Sequence, residues 1–243
     1  MKRTFPFTFE GIKKQYQAAL DAGYKFITCE EYYHYKKAGA VPSKIVVNRV
    51  DVDLSMQKAD KLVNAFNELG VKGTFFIRLH APEYNPFSFF AYNVVRHIVN
   101  TGHEIGYHSE VIDQATIWDE DPEVCLKRDI ELFNKMYDVN IVGVASHGGM
   151  TGLNNLDFWK DKKASDYGLL YEAYDHEPNF NLFHESFYVS DSEWVRWKCY
   201  DKGKLVKGDN RSFEEHLADN RPLIHLLIHP DTYYESHIYD NEK

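Results

Sequence analysis

The chain has 243 residues, 44% hydrophobic and 27% charged, with a formal net charge of −9. That length holds one barrel-sized domain as well as two small ones, and the acidic balance argues against nucleic acid and anionic membranes as partners. No apolar stretch approaches the ~20 residues of a membrane span, and the start, Met-Lys-Arg-Thr-Phe-Pro-Phe-Thr-Phe, lacks an apolar signal core before Glu10 and Lys13, so a cytoplasmic location is expected.

Phe9, Ile12, Tyr16 and Leu20 recur near helical spacing and predict an amphipathic helix over 8–21. Tyr24 to Thr28 reads as a short strand and Glu30 to Lys37 as a second helix. Residues 1–43 are thus expected to form an N-terminal helical extension packed on a single domain spanning 1–243. Regular alternation then sets in. A strand over 45–50 precedes a helix over 55–69 closed by Gly70, and Gly73 to Arg78 is the next strand. A helix from Phe87 to Asn100 ends before Gly102, and His103 to Tyr107 is the third strand. Pro122 suits the first turn of a helix running to about Tyr137, and Ile141 to Ala145 is the fourth strand. After residue 150 the pattern loosens, with short strands at 169–171 and 187–190, a helix over Arg211 to Ala218, and a last apolar strand, Leu223 to Ile228, leading into His229-Pro230. Seven or eight strands alternating with helices predict a parallel β/α barrel, distorted or incomplete, with an open doubly wound sheet as the alternative. Cys29, Cys125 and Cys199 are odd in number and form no CxxC pair, which predicts free thiols.

The chemistry-capable residues stand where those strands stop. The β-branched run Ile45-Val46-Val47-Asn48-Arg49-Val50 ends in Asp51 and Asp53, which face one side roughly 6–7 Å apart. Acids that close require a cation between them or a raised pKa on one; the plain alternative is a cap for the helix near Ser55 plus a solvated acid. Later strands end at His80, His108, His147 and His229, and in a barrel all would converge on one mouth. Carboxylate and imidazole together suit zinc or another first-row divalent ion, and Asp53, His108 and one further residue can form the three-ligand set of a catalytic site. His80 alone is more often structural, His225 is expected in the core, and His103 braces a strand start. His97, His176 and His184 default to solvent or packing. The 17 Tyr and 16 Phe suit sugar stacking or simply an aromatic core and surface.

Gly102-His103-Glu104-Ile105-Gly106-Tyr107-His108-Ser109 resembles the Gly-His-Glu-Ile-Gly-x-His-Ser/Thr motif of the polysaccharide deacetylase superfamily (carbohydrate esterase family 4). Gly73-Thr74-Phe75-Phe76 is similar to its Ala-Thr-Phe-Phe strand, Arg49-Val50-Asp51-Val52-Asp53 to a variant of its first motif, and Leu226-Leu227-Ile228-His229 to its last. Four such segments in order imply a distorted (β/α)7 barrel that hydrolyses N- or O-acetyl groups on sugars with a divalent metal, most often zinc. The resemblance makes Asp51 the general base, Asp53 and His108 metal ligands, and His229 the general acid. It departs from the family at Ile112, which stands where a second histidine ligand is usual, and at Ala145-Ser146-His147-Gly148-Gly149, which replaces the Arg-x-Pro-Tyr segment. His147 is the expected substitute ligand, ahead of Glu110 and Asp113. Arg49, Glu110, Glu172 and Asp191 are the expected substrate-binding residues, with orientation of His229 or mere solvation as alternatives for Glu172 and Asp191. The segments around Tyr84, His147 and Tyr188 resemble a divergent, WbmS-like branch associated with O-antigen and other surface polysaccharides, which implies an acetylated saccharide or sugar-linked carrier as partner. A saccharide-binding relative without turnover and a metal-free glycoside hydrolase using the two aspartates are the rival readings.

Overall fold

The computed structural model describes residues 7–192 and 196–236. Thr8 caps the first helix, α1 (Phe9–Asp21), by accepting a bond from the Gly11 amide, and Ile12, Tyr16 and Ala19 form its buried stripe. After β1 (Lys25–Ile27), Thr28 and Glu31 form a reciprocal capping box that opens α2 (Cys29–Lys37). The alternating part comprises β2 (Ile45–Val52), α3 (Met56–Leu69), β3 (Thr74–Ile77), α4 (Phe89–Asn100) and β4 (Glu104–Ser109). It continues through α5 (Val111–Trp118), α6 (Pro122–Tyr137), β5 (Gly143–Ser146), β6 (Tyr171–Glu172), α7 (Leu182–Glu185) and β7 (Phe187–Ser190). The C-terminal part holds β8 (Lys198–Asp201), β9 (Lys204–Leu205), α8 (Phe213–His216) and β10 (Leu223–Ile228). Side chains of Ser55, Ser88 and Asp121 cap α3, α4 and α6, and Pro122 occupies the first turn of α6 as expected from its fixed φ.

The ten strands of the described residues join one sheet in the order β6-β5-β4-β3-β2-β10-β7-β8-β9, with β1 beside the first half of β2. From β6 to β7 every pairing is parallel, and these seven strands follow the neighbour order of a (β/α)7 barrel opened between β6 and β7. The opening has a direct cause. The edge of β7 that would meet β6 is hydrogen-bonded instead to the antiparallel β8. The β8–β9 hairpin turns through Lys202 and Gly203, both at positive φ (48° and 75°), which matches the right-handed twist of the paired strands. Neither α5 nor this hairpin is among the sequence expectations. The first is a short helix with no side-chain cap, and the second has no apolar alternation.

Strand alternation sorts the core into two sides. Val46, Val50, Val52, Phe75, Ile77, Ile105, Tyr107 and Val144 face the helices. Ile45, Val47, Phe76, Ala145 and Tyr171 face the interior of the ring. Backbones approach closely there. A Cβ on Gly106 would lie 2.5 Å from the Phe76 ring and 2.9 Å from the Gly143 carbonyl oxygen. Gly106→Ala is therefore expected to cost about 1–3 kcal/mol, read as a lower urea midpoint with an unchanged slope; an unchanged midpoint would show that the ring interior can relax.

Candidate active site

The interior face of β2 changes character along its length. Ile45 and Val47 pack at the base, Arg49 follows fully buried, and Asp51 and Asp53 stand at the C-terminal end. The same period of two carries Gly106 to His108 on β4, Ala145 to His147 past β5, and His225 through Leu227 to His229 past β10. These side chains meet at the C-terminal mouth of the sheet. His108 Nε2 lies 3.3 Å from Asp53 Oδ1 and 3.3 Å from Asp51 Oδ2. His147 Nε2 is 4.0 Å from Asp53 Oδ1, and His229 Nε2 is 3.8 Å from Asp53 Oδ2.

Each of these groups is held from behind. Arg49 donates to Asp51 through Nε (2.8 Å) and Nη2 (2.7 Å), and its guanidinium lies between the rings of Phe76 and Tyr174. His108 Nδ1 donates to the Ala145 carbonyl at 2.8 Å, which leaves the Nε2 lone pair facing the two aspartates. His147 Nδ1 faces Glu110 at 3.4 Å, and Glu110 is gripped by Arg78 at 2.7 Å. Asp191 accepts from His229 twice, from the backbone amide and from Nδ1 at 2.6 Å.

The electrostatics ask for positive charge. Burial pushes the Asp53 carboxyl up, but the surrounding imidazoles of His108, His229 and His147 outweigh it and hold it well below the usual carboxylate range. Burial opposes ionisation of Asp51 too, and Arg49 and His108 bring it below its ordinary value. Burial alone would strip the proton from His108, yet Asp51 and Asp53 raise its pKa. His229 is likewise disfavoured by burial and carried by Asp191 to about 9.

One carboxylate oxygen and two imidazole nitrogens, from Asp53, His108 and His147, all lie within 4.8 Å of one another. Asp53 Oδ1 is buried and makes no hydrogen bond. Such an oxygen, facing two Nε2 atoms whose Nδ1 sides are turned to a carbonyl and a carboxylate, fits a divalent ion with oriented ligands. The groups face a cavity of about 460 Å³ whose opposite wall is aromatic, made by Tyr174, Phe183, Tyr188 and Tyr200.

Of the residues singled out from sequence, Arg49, Asp51, Asp53, His108, His147 and His229 line this cavity, with Asp191 and Glu110 one layer behind. Glu172 is turned away, its carboxylate accepting from the Ser146 and Tyr174 amides at 3.0 and 2.7 Å. Asp113 is wholly engaged by the Met150 and Thr151 amides, the Thr151 hydroxyl and Asn155. His80 departs from the expected convergence. Strand β3 ends at Ile77, so its interior face delivers Arg78, while His80 bonds Asp129 and Gln114 at 2.9 and 2.8 Å. His225 is buried below the site against Tyr188, His103 bonds Asn67, His97 bonds Asp60, and His176 stacks on His184. Sequence reasoning missed Arg78, although a cation ending an apolar strand is the same signal that marks Asp51. It also missed the individual members of the aromatic wall, which lie in irregular segments without a periodic pattern.

The Asp113 clasp fixes the loop after His147 onto α5. Asp113→Ala is expected to cost about 2–4 kcal/mol, since several charge-assisted bonds are lost together, and to open 148–155 to proteolysis. Unchanged denaturation and digestion would show that the clasp is dispensable.

No described protein-family profile matches the chain, and no curated protein matches it. Among solved structures it is similar to the Streptococcus pyogenes deacetylase PplD in complex with acetate, at 18% identity over 68% of this chain and 70% of that one, with a TM-score of 0.48. It is also similar to a mutant of BA3943, a CE4 family pseudoenzyme with restored enzymatic activity, at 13% identity over 77% of this chain and 57% of that one, with a TM-score of 0.45. No helix among the described residues is long and apolar enough to cross a membrane.

Proposed function

We propose that this chain is a metal-dependent hydrolase that removes N- or O-linked acetyl groups from a saccharide. The observation that carries the proposal is the Asp53–His108–His147 donor set standing between an ionised carboxylate, Asp51, and an imidazole, His229, that holds its proton to about pH 9. Asp53, His108 and His147 would hold the ion, and one carboxylate with two imidazoles suits Zn²⁺ best. When bound, such an ion lowers the pKa of a coordinated water and polarises a carbonyl. Asp51, kept ionised and aimed by Arg49, accepts a proton from the attacking water. His229 donates from Nε2 to the departing amine or alkoxide, while Asp191 fixes its ring and keeps Nδ1 protonated. The aromatic wall gives the sugar ring an apolar face to lie against. Motif resemblance extends this to surface-polysaccharide metabolism, O-antigen included, in the cytoplasm.

The test measures acetate release from N-acetylated and O-acetylated oligosaccharides by the chelated protein and after return of Zn²⁺, Co²⁺, Ni²⁺ or Mn²⁺. Release only with an ion is expected. Saccharide binding by calorimetry without acetate release under any of these conditions would make the chain a binding protein instead, and full turnover in chelator would remove the metal from the mechanism.

A further inference from the structure

A second group of metal-binding side chains lies on the reverse face of the cavity wall. On β8, Lys198 and Tyr200 face the cavity, and Cys199 between them points the opposite way. There its Sγ is 3.2 Å from His216 Nε2 on α8, and the same nitrogen is 3.7 Å from Asp209 Oδ1 in the preceding loop. The three donor atoms lie within 4.8 Å of one another, and Cys199 and His216 are fully buried.

We propose that Cys199, Asp209 and His216 form a second divalent-metal site, of Zn²⁺ type, that fixes β8 and the loop after it to α8. Tetrahedral ligands at zinc bond lengths stand roughly 3.3–3.6 Å apart, so the Cys199–His216 and His216–Asp209 separations need to change by only a few tenths of an ångström. Thiolate, imidazole and carboxylate in one place select a borderline-soft ion. One thiolate and one carboxylate neutralise a divalent charge, which burial requires. Binding releases the thiol proton to solvent as the sulfur–metal bond forms. His216 Nδ1 makes no hydrogen bond and faces Asp219 Oδ2 at 3.6 Å, the outer carboxylate that orients a ligating imidazole. Arg211 holds both oxygens of Asp209, donating from Nη2 to Oδ2 at 2.8 Å and from its backbone N and Nε to Oδ1 at 3.1 Å, so an ion would take a further lone pair of Oδ1 on the side facing His216. A reactive nucleophile is the weaker explanation of the cysteine, because burial, with Asp209 beside it, pushes the thiol up to about 12.

The main site contains no cysteine, so the near-ultraviolet thiolate-to-Co²⁺ charge-transfer absorption reports on a thiolate outside it, and a Cys29→Ala/Cys125→Ala chain restricts that report to Cys199. Titrating the chelated full chain with Co²⁺ is expected to raise this band to saturation at one equivalent of thiolate-bound ion. The band persists in Asp53→Ala and disappears in Cys199→Ser and His216→Gln. A folded wild-type chain that binds Co²⁺ without the band, or a band that survives Cys199→Ser, overturns the proposal. If both site variants fail to fold, the Cys29→Ala/Cys125→Ala chain decides the matter: a band retained there supports the proposal, and a band lost there overturns it.

Discussion

Asp53→Asn is expected to leave the chain folded while weakening divalent-ion binding at the main site by more than ~100-fold and acetate release with it. Loss of an outer partner of a metal ligand already costs about 10–100-fold in affinity or activity, and in the proposed site Asp53 would supply a charge and a donor atom directly. Its Oδ1 is the oxygen that the two Nε2 atoms share. Asparagine keeps the shape and removes the charge, so His108 also loses one of the two carboxylates that raise its pKa. A stability consequence accompanies the functional one. The folded-state pKa of Asp53 is depressed, so its ion pairing stabilises the fold above the unfolded value near 4 and is lost as pH falls through the folded value. The variant should therefore melt earlier than the parent at pH 7, the gap closing in acid. Undiminished metal stoichiometry in Asp53→Asn, measured in the Cys199→Ser background, would remove Asp53 from the ligand set.

Asp191→Asn should move the alkaline limb of the rate profile downward by about two pH units. The His229 pKa stands at about 9 because Asp191, with Asp53 and Asp51 beyond it, outweighs burial; without the Asp191 charge the imidazole moves back toward its ordinary value near 6.5. With a shift of about two units the protonated fraction at pH 8 drops from roughly nine-tenths to about a tenth, an expected loss of about 10-fold, whereas at pH 6 the two proteins should differ little. Asparagine retains an oxygen for the His229 amide and Nδ1, so ring position survives and the effect is confined to proton affinity. The linkage has the same sign. A histidine raised on folding stabilises fully below its unfolded value near 6.5, and that contribution is lost as pH rises through about 9. An alkaline limb that stays in place would show that His229 is not the proton donor.

How much of this was legible in the sequence differs between the strands and the loops. The β2 run showed its own register, since Ile45 and Val47 share a parity with Arg49, Asp51 and Asp53, and a buried face carrying charges at one end implies a mouth there. His108 was legible for the same reason, and His229, one residue past the end of β10, was legible through the motif that its segment resembles. His80 was not, because alternation says which side a residue takes only while the strand lasts, and β3 stops at Ile77. Glu172 and Asp113 have the composition of site residues, but backbone amides from distant turns consume their oxygens, and no local pattern encodes those turns. The hairpin β8–β9 carries the Tyr200 part of the aromatic wall and the reason the ring stays open. Its four-residue strand Lys-Cys-Tyr-Asp has neither apolar alternation nor a continuous apolar run.

The gap in the ring also divides the labour of changing substrate. Tyr174 follows β6 and Phe183 lies on α7 just before β7, so both flank a seam that no ladder hydrogen bond crosses among the described residues. Insertions or deletions over 173–186 can resculpt the hydrophobic bank of the cleft without unzipping any strand, while the opposite bank, with its charged side chains, stays anchored to an uninterrupted stretch of parallel ladder. Under the proposed function, drift in saccharide preference should accumulate at this seam, and the proposed hydrolytic residues should hold still across it.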